Sequence, residues 1–122
     1  MDITKKIAEM KKNPEFSRNM GLVLVHNGIV RSWSREDRAP VAQIDVQADL
    51  DKIESLRREY EAKSGIYKIL VEAKSGLFSP GDDLLFIIVA GDLRENVKPV
   101  LAELLDRIKS EAVIKTERPK LL

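Results

Sequence analysis

The chain has 122 residues, with 21 basic and 20 acidic side chains and a net charge of +1. That length fits one domain, residues 1–122, with a core large enough to need no staple, and the balanced charge argues against a general nucleic-acid binder while leaving room for a local basic pocket. Cysteine is absent, which excludes disulfides and thiol chemistry, and the single histidine leaves little for a metal site.

The start of the chain is charged and has no apolar signal segment, and the longest apolar run, residues 84–90, is too short to span a bilayer. The expectation is a cytoplasmic protein without membrane contact. Residues 2–12 place Ile3, Ile7 and Met10 on one face of a short helix, capped by Asp2 and ended by Asn13-Pro14. Residues 20–30 form an apolar strand, expected to be buried on two sides in its first half. Residues 32–40 are polar and charged and read as an exposed loop. A second strand follows at 41–46. A helix then covers 49–63, with Leu50, Ile53, Leu56 and Tyr60 as its stripe and Ser64-Gly65 as its stop.

A third strand covers 66–73 and a short fourth segment 76–78. Ser79-Pro80-Gly81-Asp82 fits a type II turn. The run at 84–90 is expected to be the central strand. The last helix covers 92–110, with Asp92 and Glu95 at capping-box spacing and Val97, Val100, Leu101, Leu104, Leu105 and Ile108 as its stripe. Pro99 conflicts with that helix, because it removes a hydrogen bond and costs about 3 kcal/mol. Either the helix kinks there or its regular part starts near Pro99. A short final strand at 112–116 and a loose tail at 117–122 complete an α+β domain with a mainly antiparallel or mixed sheet and about three helices.

The chemistry sits in the cations. Arg94 opens the last helix, where outward N–H groups and the dipole favour an anion, and its guanidinium can hold two oxygens at once. A solvated arginine beside Asp92 or Glu95 has the same signature. Lys109 closes that helix and Lys115 follows on a short apolar segment. A lysine serves as base, acid or covalent amine when burial or a neighbouring cation lowers its pKa, whereas a lysine at a helix end also simply offsets the dipole. Fifteen residues of unbroken helix would separate Arg94 from Lys109 by roughly 22 Å. If both serve one ligand, the ligand is long, two subunits share the site, or the helix breaks at Pro99.

Arg31 ends the first strand after Gly28, a glycine that lets a backbone or ligand come close. Trp33 stacks on a planar ligand, covers a partner surface, or anchors its loop. His26, with no serine or cysteine partner in view, reads as a buried, hydrogen-bonded strand residue. Asp82 and Asp83 read as solvated, and no phosphate-cradling glycine loop is present.

Taken together, Gly28-Ile29-Val30-Arg31, the segment Gly76-Leu77-Phe78-Ser79-Pro80-Gly81-Asp82, the helix from Arg94 to Lys109 and the closing Lys115-Thr116-Glu117 resemble the large, catalytic subunit of molybdopterin synthase, the MoaE family. The resemblance spans residues 20–117. It implies a hammerhead-type fold, a homodimer, and a small ubiquitin-like sulfur-carrier subunit whose Gly-Gly C-terminus brings a thiocarboxylate to the large subunit. Sulfur then passes to cyclic pyranopterin monophosphate, giving the dithiolene of molybdopterin in molybdenum cofactor biosynthesis. On this resemblance Lys109 and Lys115 are the catalytic lysines, Arg31 and Arg94 hold substrate anions, and Glu117 is the acid beside the second lysine. No metal and no cofactor of its own is implied. Leu93 stands where the family usually has histidine, His26 where it has phenylalanine, Ala73-Lys74 where it has His-Arg, and Ala112-Val113-Ile114 where it has Pro, an apolar residue and Trp. These differences motivate an alternative: a non-catalytic homologue that binds a ubiquitin-like tail or a pterin.

Overall fold

A computed structural model describes residues 1–121. In chain order the elements are α1 (Ile3–Lys11), α2 (Pro14–Asn19), β1 (Leu22–Ile29), β2 (Val41–Ala48), α3 (Leu50–Glu61), β3 (Ile66–Ala73), β4 (Gly76–Phe78), β5 (Asp83–Gly91), α4 (Arg94–Arg107), a π-helical turn (Ile108–Ala112) and β6 (Val113–Pro119). The strands form two three-stranded sheets, ordered β1-β5-β3 and β4-β2-β6, with antiparallel pairing between neighbours.

β5 is central because its apolar run can be covered on both faces. Leu85, Ile87 and Val89 enter the main core, under α3, α4 and the second sheet. Ile88 and Ala90 point the other way and pack with Met10 beneath α1 and α2. This two-sided burial explains why the strand reads as continuous rather than alternating. β1 departs from its expected two-sided burial: it is half-buried, and Val25 is exposed. It is one of the two edge strands of its sheet and pairs only with β5.

Asp2 caps α1 by accepting from the Lys5 N–H at 3.0 Å. Asn13-Pro14 ends that helix but also opens α2, which the sequence pattern did not foretell. Asn13 accepts from the Glu15 N–H at 2.9 Å, and Pro14 sits at the first helical position, where its missing N–H has no intrahelical partner to lose. In α3 the stripe is Ile53, Leu56 and Tyr60; Leu50, in its first turn, is exposed instead. The Ser79–Asp82 turn closes with Asp82 N–H donating to the Ser79 carbonyl at 3.0 Å and Gly81 at φ +93°, the conformation expected of a type II turn.

α4 buries Val97, Val100 and Leu104, and its line continues into Ile108 and Ala112 of the π turn. Three expectations for this region are corrected. Of the two alternatives for Pro99, a regular part that starts near it does not hold: the helix starts five residues earlier, at Arg94, and passes through Pro99. The capping box does not form, because Asp92 accepts from the Leu93 N–H at 2.6 Å and from Asn96 Nδ2 at 2.9 Å, leaving Leu93 at the cap without a side-chain bond. The α-helix stops at Arg107, and the wider π turn carries the chain to Ala112. The final strand runs to Pro119, so Glu117 lies in β6 rather than in a loose tail. Leu122 of the expected tail falls outside the described residues. Among the described residues no helix is long and apolar enough to cross a membrane.

Candidate functional site

The two sheets diverge around a cleft of about 630 Å³. One wall is the end of β1 and the residues after it. The other is the face of β2 and β6. Alternation along β6 puts Val113, Lys115 and Glu117 on the cleft side, with Ile44 and Val46 of β2 beneath them. The π turn supplies Lys109. A π turn inserts a residue into the helical phase, a distortion frequent at functional sites. Here it places Ile108 and Ala112 in the core while Lys109 lines the cleft.

A β-bulge between Gly28 and Ile29 bends the end of β1 and leads into Val30 and Arg31. Gly28 earns its place by contact: a Cβ there would meet His26 Nε2 at 3.1 Å and the Leu85 carbonyl oxygen at 3.5 Å. Past Arg31 the chain forms a loop closed by its own bonds, Ser34 N–H to the Ala39 carbonyl and Arg38 N–H to the Ser34 carbonyl, both at 2.9 Å. Trp33 is its anchor. The Arg31 and Arg38 guanidinium groups lie 4.8 Å and 4.6 Å from the Trp33 ring centre. The loop is tied to β6 where Ser34 Oγ donates to Glu117 Oε1 at 2.9 Å.

The cleft therefore gathers Arg31, Arg35, Lys74, Lys109 and Lys115 against the carboxylates of Glu36 and Glu117. On a chain of net charge +1, the lining of this concavity is locally cationic. Lys115 registers this. Desolvation by burial pushes its pKa below the usual lysine range, and the charges of Lys109, Arg31 and Arg35 push it further. His26 is likewise shifted down, by burial first and then by Lys109 and Lys115. Its Nε2 is a buried polar atom without a hydrogen-bond partner, which overturns the expectation of a hydrogen-bonded strand histidine.

Of the residues singled out in the sequence, Arg31, Lys109, Lys115 and Glu117 line this one cleft and Arg94 does not. Arg94 sits exposed in the first turn of α4, at the opposite end of that helix from the π turn, and makes no ion pair among the described residues. Sequence reasoning missed Arg35 and Lys74 as cleft cations and set His26 aside. Only Gly28, two residues on and on the same strand face, hinted that the His26 ring needed room. Among the described residues no group of three His, Asp or Glu side chains could hold a metal.

Residues 1–111 match the protein family described as MoaE protein. A curated relative, a probable molybdopterin synthase of Haloferax volcanii, is 24% identical over 98 residues, covering 77% of this chain and 38% of that protein. The chain thus spans well under half of that relative's length. Among solved structures, molybdopterin synthase from Staphylococcus aureus superimposes with a TM-score of 0.77 at 18% identity, over 98% of this chain and 86% of that one. Molybdopterin cofactor biosynthesis protein E from Burkholderia multivorans gives 0.73 at 19% identity, over 100% and 84%. A complex of subunits 1 and 2 of molybdopterin-converting factor from Helicobacter pylori gives 0.68 at 17% identity, over 96% and 78%. At these identities the structural likenesses show the fold.

Proposed function

The chain belongs to the MoaE family, and from that premise we propose that it acts in molybdenum cofactor biosynthesis as the large subunit of a molybdopterin synthase. In this reading a small ubiquitin-like partner delivers its C-terminal thiocarboxylate to the cleft, and sulfur passes to cyclic pyranopterin monophosphate. The observation that carries it is the convergence of Lys109, Lys115, Arg31 and Glu117 on one cation-rich cleft. A thiocarboxylate and a phosphate are both anions, and fixed cations in a half-desolvated concavity hold anions more strongly than the same charges in water.

The roles follow from placement. Arg31, stacked on Trp33, presents a guanidinium at the mouth, suited to a phosphate. Lys109 and Lys115 face the reacting groups. The lowered pKa of Lys115 makes its ammonium a readier proton donor than an ordinary lysine. Glu117, engaged by Ser34, keeps the 31–40 loop against β6 and completes the rim. Arg94, some fourteen helical residues from the π turn, serves the same ligand only if a second copy of the chain brings it to a neighbouring cleft. That arrangement agrees with the homodimer the resemblance implies.

Reconstitution with a thiocarboxylated small subunit and the cyclic precursor tests the reading. Formation of the dithiolene product supports it. A second reading, a homologue that binds the tail or the pterin without turnover, draws on the exclusion of Arg94 from the cleft. Tight binding of either ligand with no product would select that reading, and binding of neither would remove both.

A further inference from the structure

His26 is the one histidine of the chain. It projects from β1 on the face of Leu22 and Leu24, where the main core gives way to the cleft, and its ring lies over Gly28. Its Nε2 reaches neither water nor a protein partner. A buried polar atom left unpaired costs on the order of 1–3 kcal/mol, so such an atom at the edge of a binding cleft invites a ligand to satisfy it.

The charged groups sharing the cleft with it are Lys109 from the π turn, Lys115 and Glu117 from β6, Arg31, Arg35 and Glu36 after β1, and Lys74 after β3. β5, paired alongside, presents Ile87 opposite His26 and Leu85 opposite Gly28, both apolar. Cations outnumber carboxylates, so an added proton on His26 is opposed while the cleft is empty. An anion seated between the lysines reverses that field.

We propose that His26 is a proton-coupled anion contact: when an oxyanion or thiocarboxylate occupies the space between Lys109 and Lys115, His26 takes one proton from solvent and Nε2 donates a hydrogen bond to the anion. The ring turns toward the ligand over Gly28, which has no Cβ to obstruct it. The inference rests on the functional reading above and adds to it a residue that contacts the ligand and changes charge as it binds. No bond other than the N–H bond is made. The empty cleft holds His26 neutral near neutral pH, because burial and the two lysines lower its pKa. A bound anion raises that pKa, so binding takes up a proton. Affinity then rises as pH falls through the window between the free and bound midpoints.

A lone histidine gives one imidazole signal, so the test is direct. The titration of that signal is followed by proton NMR on tag-free protein, alone and with saturating probe. One probe is sulfate, standing for a phosphate ester. The other is an N-acetylated peptide ending in Gly-Gly with a free carboxylate and no other titrating group, standing for the partner's tail. Neither probe titrates near neutrality. The expected result is a midpoint below the ordinary histidine value in the free protein, raised by on the order of one pH unit when a probe is bound. A shift with one probe alone identifies which anion neighbours His26. H26Q, polar but not titrating in this range, is expected to bind the same probe with a flattened pH dependence. Probe binding that leaves the imidazole midpoint unmoved overturns this inference and leaves the functional reading standing. If neither probe binds, that reading fails and the inference with it.

Discussion

Ser34 Oγ donates a 2.9 Å hydrogen bond to the Glu117 carboxylate, joining positions 83 residues apart in sequence. This contact holds the 31–40 loop, with Arg31 and Arg35, against the strand that carries Lys115. Both partners are reachable by water, so Ser34→Ala is expected to change global stability by less than about 1 kcal/mol. Its effect should be local. Amide exchange at Arg38 and Val41, whose N–H groups donate to Ser34 and Ser32, should quicken, and the half-saturating concentration of the anionic ligand should rise. Unchanged exchange in the loop would show that the contact does not fix it.

Lys115 offers a stability test whose sign is set by its environment. Its folded pKa lies below the unfolded value, so between the two the unfolded chain binds more protons and stability rises with pH. Below that window the ammonium is charged in an unfavourable setting. Lys115→Met is therefore expected to be more stable than the wild type at neutral pH, with the gap narrowing as pH climbs toward the ordinary lysine range. Denaturant titrations at several pH values check this, and a variant less stable at neutral pH would contradict it.

Pro99 lies inside α4, exposed, with its ring where an N–H would donate to the Glu95 carbonyl. Pro99→Ala restores that donor. The gain is partly offset because proline also restricts the unfolded chain. The expected outcome is a stabilisation of roughly 1–2 kcal/mol, read as a higher denaturant midpoint with an unchanged slope. No change would mean that the helix has already absorbed the loss of that bond.

Arg94 and Lys109 stand at opposite ends of one helical rod. If each cleft draws Arg94 from a second copy of the chain, two inactive variants should complement. A mixture of Arg94→Ala and Lys109→Ala chains, dissociated and reassociated, is expected to regain activity, because a mixed dimer holds one complete site out of two. Each variant alone should stay inactive. No recovery, in mixtures shown to contain mixed dimers, would confine the site to a single chain.

Much of the fold could be read from the residues. The unbroken apolar run of β5 announces a strand covered on both faces, and the Ile53, Leu56 and Tyr60 stripe of α3 is a plain helical period. Asn13-Pro14 misleads because the same pair ends one helix and begins another. Asp92 misleads because Asn96 and the Leu93 N–H compete successfully for its carboxylate. The π turn has no sequence signature of its own: Ile108 and Ala112 stand four apart, a spacing that an ordinary α-helix would bury equally well. Lys109 on that turn and Lys115 and Glu117 on β6 line one cleft with Arg31, whereas Arg94 lies outside it and Arg35 and Lys74 line it without a sequence signal to mark them. Nothing beside His26 in the sequence marks it, because Lys109 and Lys115, whose charges act on it, are distant in the chain and only folding brings them near.

The most direct measurement is single-turnover conversion of cyclic pyranopterin monophosphate by the chain mixed with thiocarboxylated small subunit, with binding of that subunit followed in parallel. The account predicts product from the wild type, and from Lys115→Ala a rate lower by at least about 100-fold with the small subunit still bound. Full-rate product from Lys115→Ala, or none from the wild type, would contradict it.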